Sequence, residues 1–208
     1  MEYKCLMIDI ETLGFRNTSA ILSISAVPFN ILSGDVRVYR FNRNISLDSS
    51  LEYNLSIDES TVAWWFRQPE NALIPLLKDR INLYKALEEL TAFIKESKVE
   101  QVWSNSPTFD LAILRNAYKN TQLECPWEFY QERDVRTVAS LVPSIKKEMK
   151  FDGTAHNAED DCLHQIKYLT KTVQVLTSSD KPSLETVEVK PQSSPGSFVY
   201  LHEYAART

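Results

Sequence analysis

The chain has 208 residues, 43% hydrophobic and 25% charged, which are ordinary values for a globular protein with one sizeable core and room for a tail. Its three widely spaced cysteines argue against a disulfide framework and fit a reducing compartment, and no apolar stretch suits a membrane span or a signal peptide. The net charge of −5 counts against nucleic-acid binding, which usually needs a basic face, although divalent ions bound to acidic ligands would reverse the local field.

The first predicted element is a buried strand over residues 3–10, which leads into the pair Asp9 and Glu11. Side chains two residues apart point to the same face of a strand, so these two carboxylates would lie side by side. Each raises the pKa of the other unless a cation lies between them, and a hard divalent metal ion is the usual neutraliser. A strand that simply ends in solvated acids is the commoner meaning of this pattern, so a metal site requires further ligands.

A hairpin follows the first strand. Residues 20–29 are predicted as its first strand and Val36 to Phe41 as its second. Residues 44–57 are polar and are predicted as a loop. Together with the helices that come later, these strands predict a mixed α/β sheet.

The next element is a helix that begins after an N-cap at Asp58 and runs to about Gln68. One face of this helix is expected to lie in the core, and it carries Val62, Trp65 and Phe66. Trp64 falls off that face. It either packs against the neighbouring loop or provides a platform on which nucleic-acid bases stack.

A second strand–helix passage follows an amphipathic helix over residues 82–96. Residues 99–103 are predicted as a strand, and Ser106 as the cap of the next helix. The buried stripe of that helix is predicted to consist of Leu111, Leu114 and Tyr118. Asp110, in its first turn, either stabilises the helix dipole or provides a third metal ligand at the sheet edge where α/β sites form.

Several basic side chains lie in the C-terminal third of the chain. The predicted elements there are a short helix or a strand-to-helix passage over 135–141, a Lys-rich loop over 144–154 and a last helix over 158–176. Lys146, Lys147 and Lys150 are either simply solvated or in contact with phosphates. Arg133 and Arg136 are either structural or directed towards a substrate.

The composition shifts to Ser, Pro, Glu and Lys after residue 177. We therefore predict one domain over residues 1–177 and a poorly ordered tail over 178–208. Residues 198–201 form the only apolar cluster in the sequence of this tail. It either docks on the domain or on a partner, or is only a sticky end.

A histidine and an aspartate flank the predicted start of the last helix. If Asn157 caps this helix, Asp160 falls at the third helical position, as in a capping box. His156 and Asp161 then occupy the two positions that touch in a hydrophobic staple, so an imidazole would meet a carboxylate. An isolated histidine–aspartate pair is more often only a surface hydrogen bond. Here, however, the pair comes after three other candidate acids in the chain.

Together, these segments resemble the three motifs of the DEDDh 3′–5′ exonucleases of the ribonuclease H-like superfamily. The similarity is greatest to bacteriophage exonuclease A and related bacterial exoribonuclease-like proteins, and it covers residues 5 to about 170. The motifs are Asp9–Thr12 (DIET), Asn105–Asp110 (NSPTFD) and His156–Asp161 (HNAEDD, read as His-x-Ala-x-x-Asp). All three in this order are a far stronger signal than any one alone.

The resemblance implies a ribonuclease H-like α/β fold, with a mixed five-stranded sheet flanked by helices. It implies that two Mg²⁺ or Mn²⁺ ions are held by Asp9, Glu11, Asp110 and Asp161, and that His156 is the general base. The expected activity is 3′–5′ exonuclease hydrolysis, with release of nucleoside 5′-monophosphates. The location expected for such an enzyme is the cytoplasm of a bacterium or of a phage-infected host.

The expected partner is the 3′ end of a single-stranded nucleic acid, DNA in the first place, and no membrane. An exoribonuclease and a non-cleaving nucleic-acid-binding module are the alternatives, and the oligomeric state, with a homodimer among the options, stays open. Relatives wedge an apolar side chain near the terminal base at the position of Leu13, which otherwise packs on the core as a turn residue. The candidate substrate contacts are Thr12, Leu13, Arg16, Trp64 and Asn105.

Overall fold

A five-stranded mixed sheet, flanked by helices, forms the centre of the computed structural model, which describes residues 2–178. The strands are β1 (Cys5–Thr12), β2 (Ile21–Phe29), β3 (Phe41–Asn44), β4 (Gln101–Ser104) and β5 (Glu132–Asp134). The helices are α1 (Leu47–Glu52), α2 (Glu59–Trp65), α3 (Glu70–Leu76), α4 (Leu83–Ser97), α5 (Asp110–Asn120), α6 (Val135–Ser140), α7 (Pro143–Glu148) and α8 (Ala158–Thr177). The predicted sheet architecture is confirmed.

The central strand β1 is covered on both faces, which explains its nearly continuous apolar sequence. The spatial order is β3-β2-β1-β4-β5, with β2 antiparallel and β4 parallel to β1. Even-numbered side chains from Leu6 to Ile10 pack in the core cluster that contains residues of α4 and α5. The odd-numbered Cys5 and Met7 pack in a second cluster with residues of α8 and α6. The alternation therefore directs the remaining odd-numbered positions of β1 towards α8.

The β2–β3 connection and the segment after it differ from the sequence prediction. The predicted strand from Val36 to Phe41 is wrong, because β3 begins only at Phe41 and Val36 forms an isolated bridge with Phe29. The predicted loop over 44–57 contains α1.

Two helices were also missed. Helix α3 follows Pro69 directly, and the predicted Lys-rich loop begins with α7, which has Pro143 at its first turn.

Two details of the predicted helices are wrong. Helix α5 begins at Asp110, and the Ser106 hydroxyl pairs with Thr108 Oγ1 at 2.7 Å and so does not cap the helix. Phe66, the C-cap residue of α2, is 82% exposed, because the buried face of this helix carries Thr61 and Trp65 and Phe66 lies off that face. The stripe predicted for α5 is buried as expected and consists of Leu111, Leu114 and Tyr118.

The predicted tail over residues 178–208 lies outside the described residues apart from Ser178. Within residues 2–178, no helix is both long enough and apolar enough to cross a lipid bilayer.

Candidate active site

Four acidic side chains converge at one edge of the sheet. Asp9 and Glu11 lie in the second half of β1, on the face that α8 covers. β4 is parallel to β1 and pairs Trp103 with Met7, so the chain that leaves β4 passes level with these carboxylates. It leads to Asp110, the first residue of α5, while Asp161 comes from the first turn of α8.

The neighbouring strand places small polar residues opposite the β1 carboxylates. Their cross-strand partners on β2 are serines: Asp9 pairs with Ser25, and Glu11 pairs with Ser23. Directly opposed residues place their side chains on the same face of a sheet. Both serines are buried, so the residues opposite the two carboxylates are small and polar and carry no charge.

Three of the predicted residues form a compact group of potential ligands. Glu11, His156 and Asp161 each offer one ligand atom, and these atoms lie within 4.8 Å of one another. Asp9 and Asp110 are outside this group, but their charges act on it. Burial, followed by the charges of Asp110, Glu11 and Asp161, raises the pKa of Asp9 well above its ordinary value. The four carboxylates therefore form one electrostatic unit.

The other three carboxyl groups also have raised pKa values, and burial is the main cause for each. The pKa of Glu11 rises to about 8, with further contributions from the charges of Asp161 and Asp110. The pKa of Asp110 rises to about 7 and that of Asp161 to about 6. A crowded set of oxygen ligands that resists ionisation in this way fits hard divalent cations, which supply the missing positive charge.

Helix α8 contributes a buried amide that sequence reasoning missed. Gln165 is 5% exposed, and its Nε2 donates a hydrogen bond of 2.7 Å to Asp9 Oδ1. Among the described residues, its Oε1 is buried without a hydrogen-bond partner. The available signal was its spacing, because a residue four positions after Asp161 lies on the same face of a helix.

The start of α8 has the predicted cap, and the histidine before it has a specific environment. Asn157 Oδ1 accepts hydrogen bonds of 3.2 Å from the backbone N–H groups of Glu159 and Asp160, which confirms the cap. His156 has a left-handed backbone with φ 65°. Its backbone N–H donates a hydrogen bond to the Asp161 carboxylate, which lowers the pKa of Asp161 against the larger effect of burial.

The His156 ring lies against the two tryptophans of α2. Its centroid is 4.8 Å from that of Trp64 and 6.3 Å from that of Trp65, both edge-on. Burial lowers the pKa of His156 below its ordinary value. This environment therefore favours the neutral ring, the form that accepts a proton.

The candidate substrate contacts on β1 and its turn are divided between core and surface. Leu13 is buried in the core cluster of β1, α4 and α5, which agrees with the packing alternative for this residue. Thr12 is buried as well. Its hydroxyl donates to Gly14 O at 2.8 Å, and its carbonyl accepts from Trp65 Nε1 at 2.9 Å. Arg16 is exposed.

The remaining candidate contacts lie on either side of the carboxylates. Trp64 is 37% exposed, and its ring contacts the His156 ring. This environment matches neither packing against the neighbouring loop alone nor a fully exposed base-stacking platform. Asn105 follows β4 and is partly buried. Its Oδ1 accepts a hydrogen bond of 3.3 Å from the Tyr168 hydroxyl, and its carbonyl accepts one of 3.0 Å from Arg136 Nη2.

A family model described as the Rv2179c-like 3′-5′ exoribonuclease domain matches residues 4–173. This match covers all five of the residues that the sequence motifs single out for catalysis. A comparison with curated proteins returned no match. The greater similarity to bacteriophage exonuclease A stays a prediction.

Solved structures with the same fold include nucleases. The nuclease domain of 3′hExo, a DEDDh family member bound to rAMP, has a TM-score of 0.62 at 11% identity, over 83% of this chain and 93% of that one. A 3′-exonuclease that recognises the 3′ end of a histone mRNA stem-loop has a TM-score of 0.57 at 11% identity, over 84% of each chain. Exonuclease X in complex with 5′-overhanging duplex DNA has a TM-score of 0.53 at 17% identity, over 82% of this chain and 92% of that one. At these identities the similarity shows the fold.

Proposed function

The chain belongs to the family of Rv2179c-like 3′-5′ exoribonuclease domains, and we propose that it is a metal-dependent 3′–5′ exonuclease that hydrolyses single-stranded nucleic acid. The observation that carries this proposal is the convergence of Asp9, Glu11, Asp110 and Asp161 beside His156. Four buried or half-buried acids at one sheet edge, with raised pKa values, have no structural benefit in the metal-free fold. The function of a divalent-metal centre explains why they are there.

The four carboxylates would hold two Mg²⁺ or Mn²⁺ ions. When bound, such ions supply a water of lowered pKa and stabilise the charge that develops on the phosphate oxygens. The chain's own contribution is to fix the ligands. β1 holds two of them on a central strand, and Gln165 holds the Asp9 carboxylate in one orientation through its amide.

His156 is the proposed general base. Its neutral imidazole accepts a proton from the attacking water as the water oxygen bonds to phosphorus and the bond from phosphorus to the 3′ oxygen breaks. The products are a nucleoside 5′-monophosphate and a strand with a new 3′ hydroxyl. The carboxylates of Glu11 and Asp161, in the same compact group, stabilise the imidazolium that forms. Trp64 and Trp65 limit the orientations of the ring.

The choice between DNA and RNA is a separate question. Single-stranded DNA is the substrate expected from the sequence, whereas the family description names an exoribonuclease and so favours RNA. Among the solved neighbours, one recognises an mRNA stem-loop, one is bound to the mononucleotide rAMP, and Exonuclease X is in complex with duplex DNA. The 2′ hydroxyl is the group that distinguishes the two, and both substrates belong in the decisive assay.

Digestion of matched DNA and RNA oligonucleotides tests the proposal. With Mg²⁺ or Mn²⁺ we expect stepwise shortening of strands with a free 3′ end, including 5′-blocked strands, and no shortening of 3′-blocked strands. EDTA, Asp9→Ala and His156→Ala should each abolish the reaction. Degradation by the Asp9→Ala protein at the wild-type rate would overturn the assignment, and calorimetry without any divalent-ion binding would favour the non-cleaving module. Light scattering of the same protein tests for the homodimer, and cell fractionation tests the predicted cytoplasmic location.

A further inference from the structure

We infer that Arg136 anchors the substrate strand by contacting a phosphate group of its backbone. This inference rests on the proposed function, because it assigns a role at the same site. The neighbouring groups are Asn105 and Asp110, which belong to the chain that leaves β4. Arg136 would supply the fixed positive charge that an otherwise acidic site needs in order to receive a polyanion.

The topology places Arg136 at the edge of the sheet where the carboxylates lie. β5 is parallel to β4 and pairs Asp134 with Ser104, so the residues that follow these two strands leave the sheet side by side. Asn105 follows Ser104 directly, and its carbonyl accepts a hydrogen bond of 3.0 Å from Arg136 Nη2. The Arg136 backbone N–H is fixed by a 3.0 Å hydrogen bond to Asp134 Oδ1. The guanidinium is therefore held at the mouth of the candidate site.

Most donors of this guanidinium are available to a ligand. A guanidinium carries five N–H donors, and Arg136 uses one of them on Asn105 O. Its side chain is exposed, and among residues 2–178 it takes part in no ion pair. Arginines with a structural role look different in this protein. Arg40 pairs with Glu159 at 2.9 Å, and Arg43 pairs with Glu89 at 2.7 Å.

The charge of Arg136 acts on the site. It lowers the pKa of Asp110 and of Tyr168, in both cases against the larger effect of burial. Its position gives the fold no obvious benefit, since a cation at the second residue of α6 opposes the helix dipole. A planar fork of donors beside a phosphodiester-cleaving site matches the paired oxygens of a phosphate group. These oxygens carry no base information, so the contact positions the strand and does not select its sequence.

Arg133 provides a matched control in the neighbouring strand. It lies in β5, and its Nη1 donates to the backbone carbonyls of Tyr130 and Glu132 at 2.7 Å and 2.8 Å. Its guanidinium is thus engaged by the protein itself. Replacement of Arg133 by Gln removes the same charge from the chain as Arg136→Gln does, but from a position that has no role in the inference.

The test compares wild type, Arg136→Gln, Arg136→Lys and Arg133→Gln in steady-state hydrolysis of a short single strand at several salt concentrations. We expect Arg136→Gln to raise KM by about tenfold or more with a small change in kcat. The slope of log(kcat/KM) against log[salt] should decrease by about 0.7, the value for one phosphate contact on a single strand. Arg136→Lys should keep the slope but only part of the affinity, and Arg133→Gln should match wild type. Thermal unfolding confirms that each variant is folded.

Anisotropy of a fluorescent oligonucleotide with Ca²⁺ in place of Mg²⁺ separates this inference from the proposed function. Wild type could fail to cleave with Mg²⁺ or Mn²⁺ and still bind the strand with Ca²⁺. In that case, weaker binding with a reduced salt slope in Arg136→Gln still supports the phosphate contact. Equal binding and an equal salt slope of binding in wild type and Arg136→Gln would overturn the inference, whether or not wild type cleaves. Absence of any binding by wild type would overturn it as well.

Discussion

Replacement of Glu11 by Gln should stabilise the metal-free protein while it removes a proposed metal ligand. Glu11 is 9% exposed, and its pKa rises from 4.5 to about 8, first through burial and then through the charges of Asp161 and Asp110. A group with a raised folded-state pKa binds more protons in the folded protein than in the unfolded chain. The stability of metal-free wild type should therefore be highest below about pH 4.5 for this group and decrease as the pH rises towards 8.

The size of the effect follows from the same values. At pH 7, the unfolded chain has ionised this glutamate, while the folded protein keeps it mostly protonated. The interval of about 2.5 pH units above 4.5, at about 1.36 kcal/mol per unit, gives a loss of about 3 kcal/mol for wild type. Neighbouring carboxylates share the repulsion, so we expect Glu11→Gln to recover about 1–3 kcal/mol at pH 7. For a chain of this length, this corresponds to an increase in Tm of about 2–10 °C.

Thermal unfolding in EDTA between pH 5 and pH 8 measures the effect. The Tm of wild type should decrease more steeply with pH than that of Glu11→Gln, so the difference between them should grow towards pH 8. Glu52→Gln, at an exposed position of α1, is the control and should follow wild type at every pH. A metal-free Glu11→Gln protein that is no more stable than wild type at pH 8 would refute the electrostatic argument.

Four further outcomes are expected. Gln165→Leu should weaken Mn²⁺ binding by about 10- to 100-fold in calorimetry, since it removes the hydrogen bond to Asp9; unchanged affinity would contradict that role. Trp64→Ala should lower kcat by about tenfold, a fraction of the usual contribution of a general base, and Trp64→Phe should restore part of it. Leu13→Ala should cost about 2–4 kcal/mol in denaturant unfolding, because the side chain is in the core. Deletion of residues 178–208 should leave nuclease activity intact, and loss of activity would show that the tail is part of the enzyme.

The parts of the site that depend on local periodicity were predictable from the sequence. The alternation in β1 places Asp9 and Glu11 on one face, and the Asn157 cap fixes the position of Asp161 in the first turn of α8. Both features depend only on the two structural periods and on a short-range hydrogen bond. The identity of the helix that covers β1 follows from long-range packing, which periodicity does not contain.

The parts that failed depend on tertiary contacts or on weak boundary signals. Ser106 and Pro107 look like a cap and a first helical residue, but the turn that they form delays the helix to Asp110. The spacing from Asp161 could place Gln165 on the same face of the last helix, but its hydrogen bond could not be predicted, because the partner, Asp9, lies on another element. Phe66 was assigned to the core from helical spacing, yet the face of α2 that is buried carries Thr61 and Trp65, and the Phe66 side chain is exposed.

The acidic net charge and the proposed nucleic-acid substrate are compatible because of how the charges are distributed. With pKa values of about 8 for Glu11 and about 7 for Asp110, the metal-free site keeps part of its protons at neutral pH. Binding of divalent ions must displace these protons, so metal affinity should increase with pH over the range in which the metal-free fold loses stability. The carboxylates that destabilise the empty fold are thus the groups whose charge the ions balance. In the proposed role, Arg136 adds a fixed positive charge beside these four acids, where the phosphate backbone of the substrate would enter.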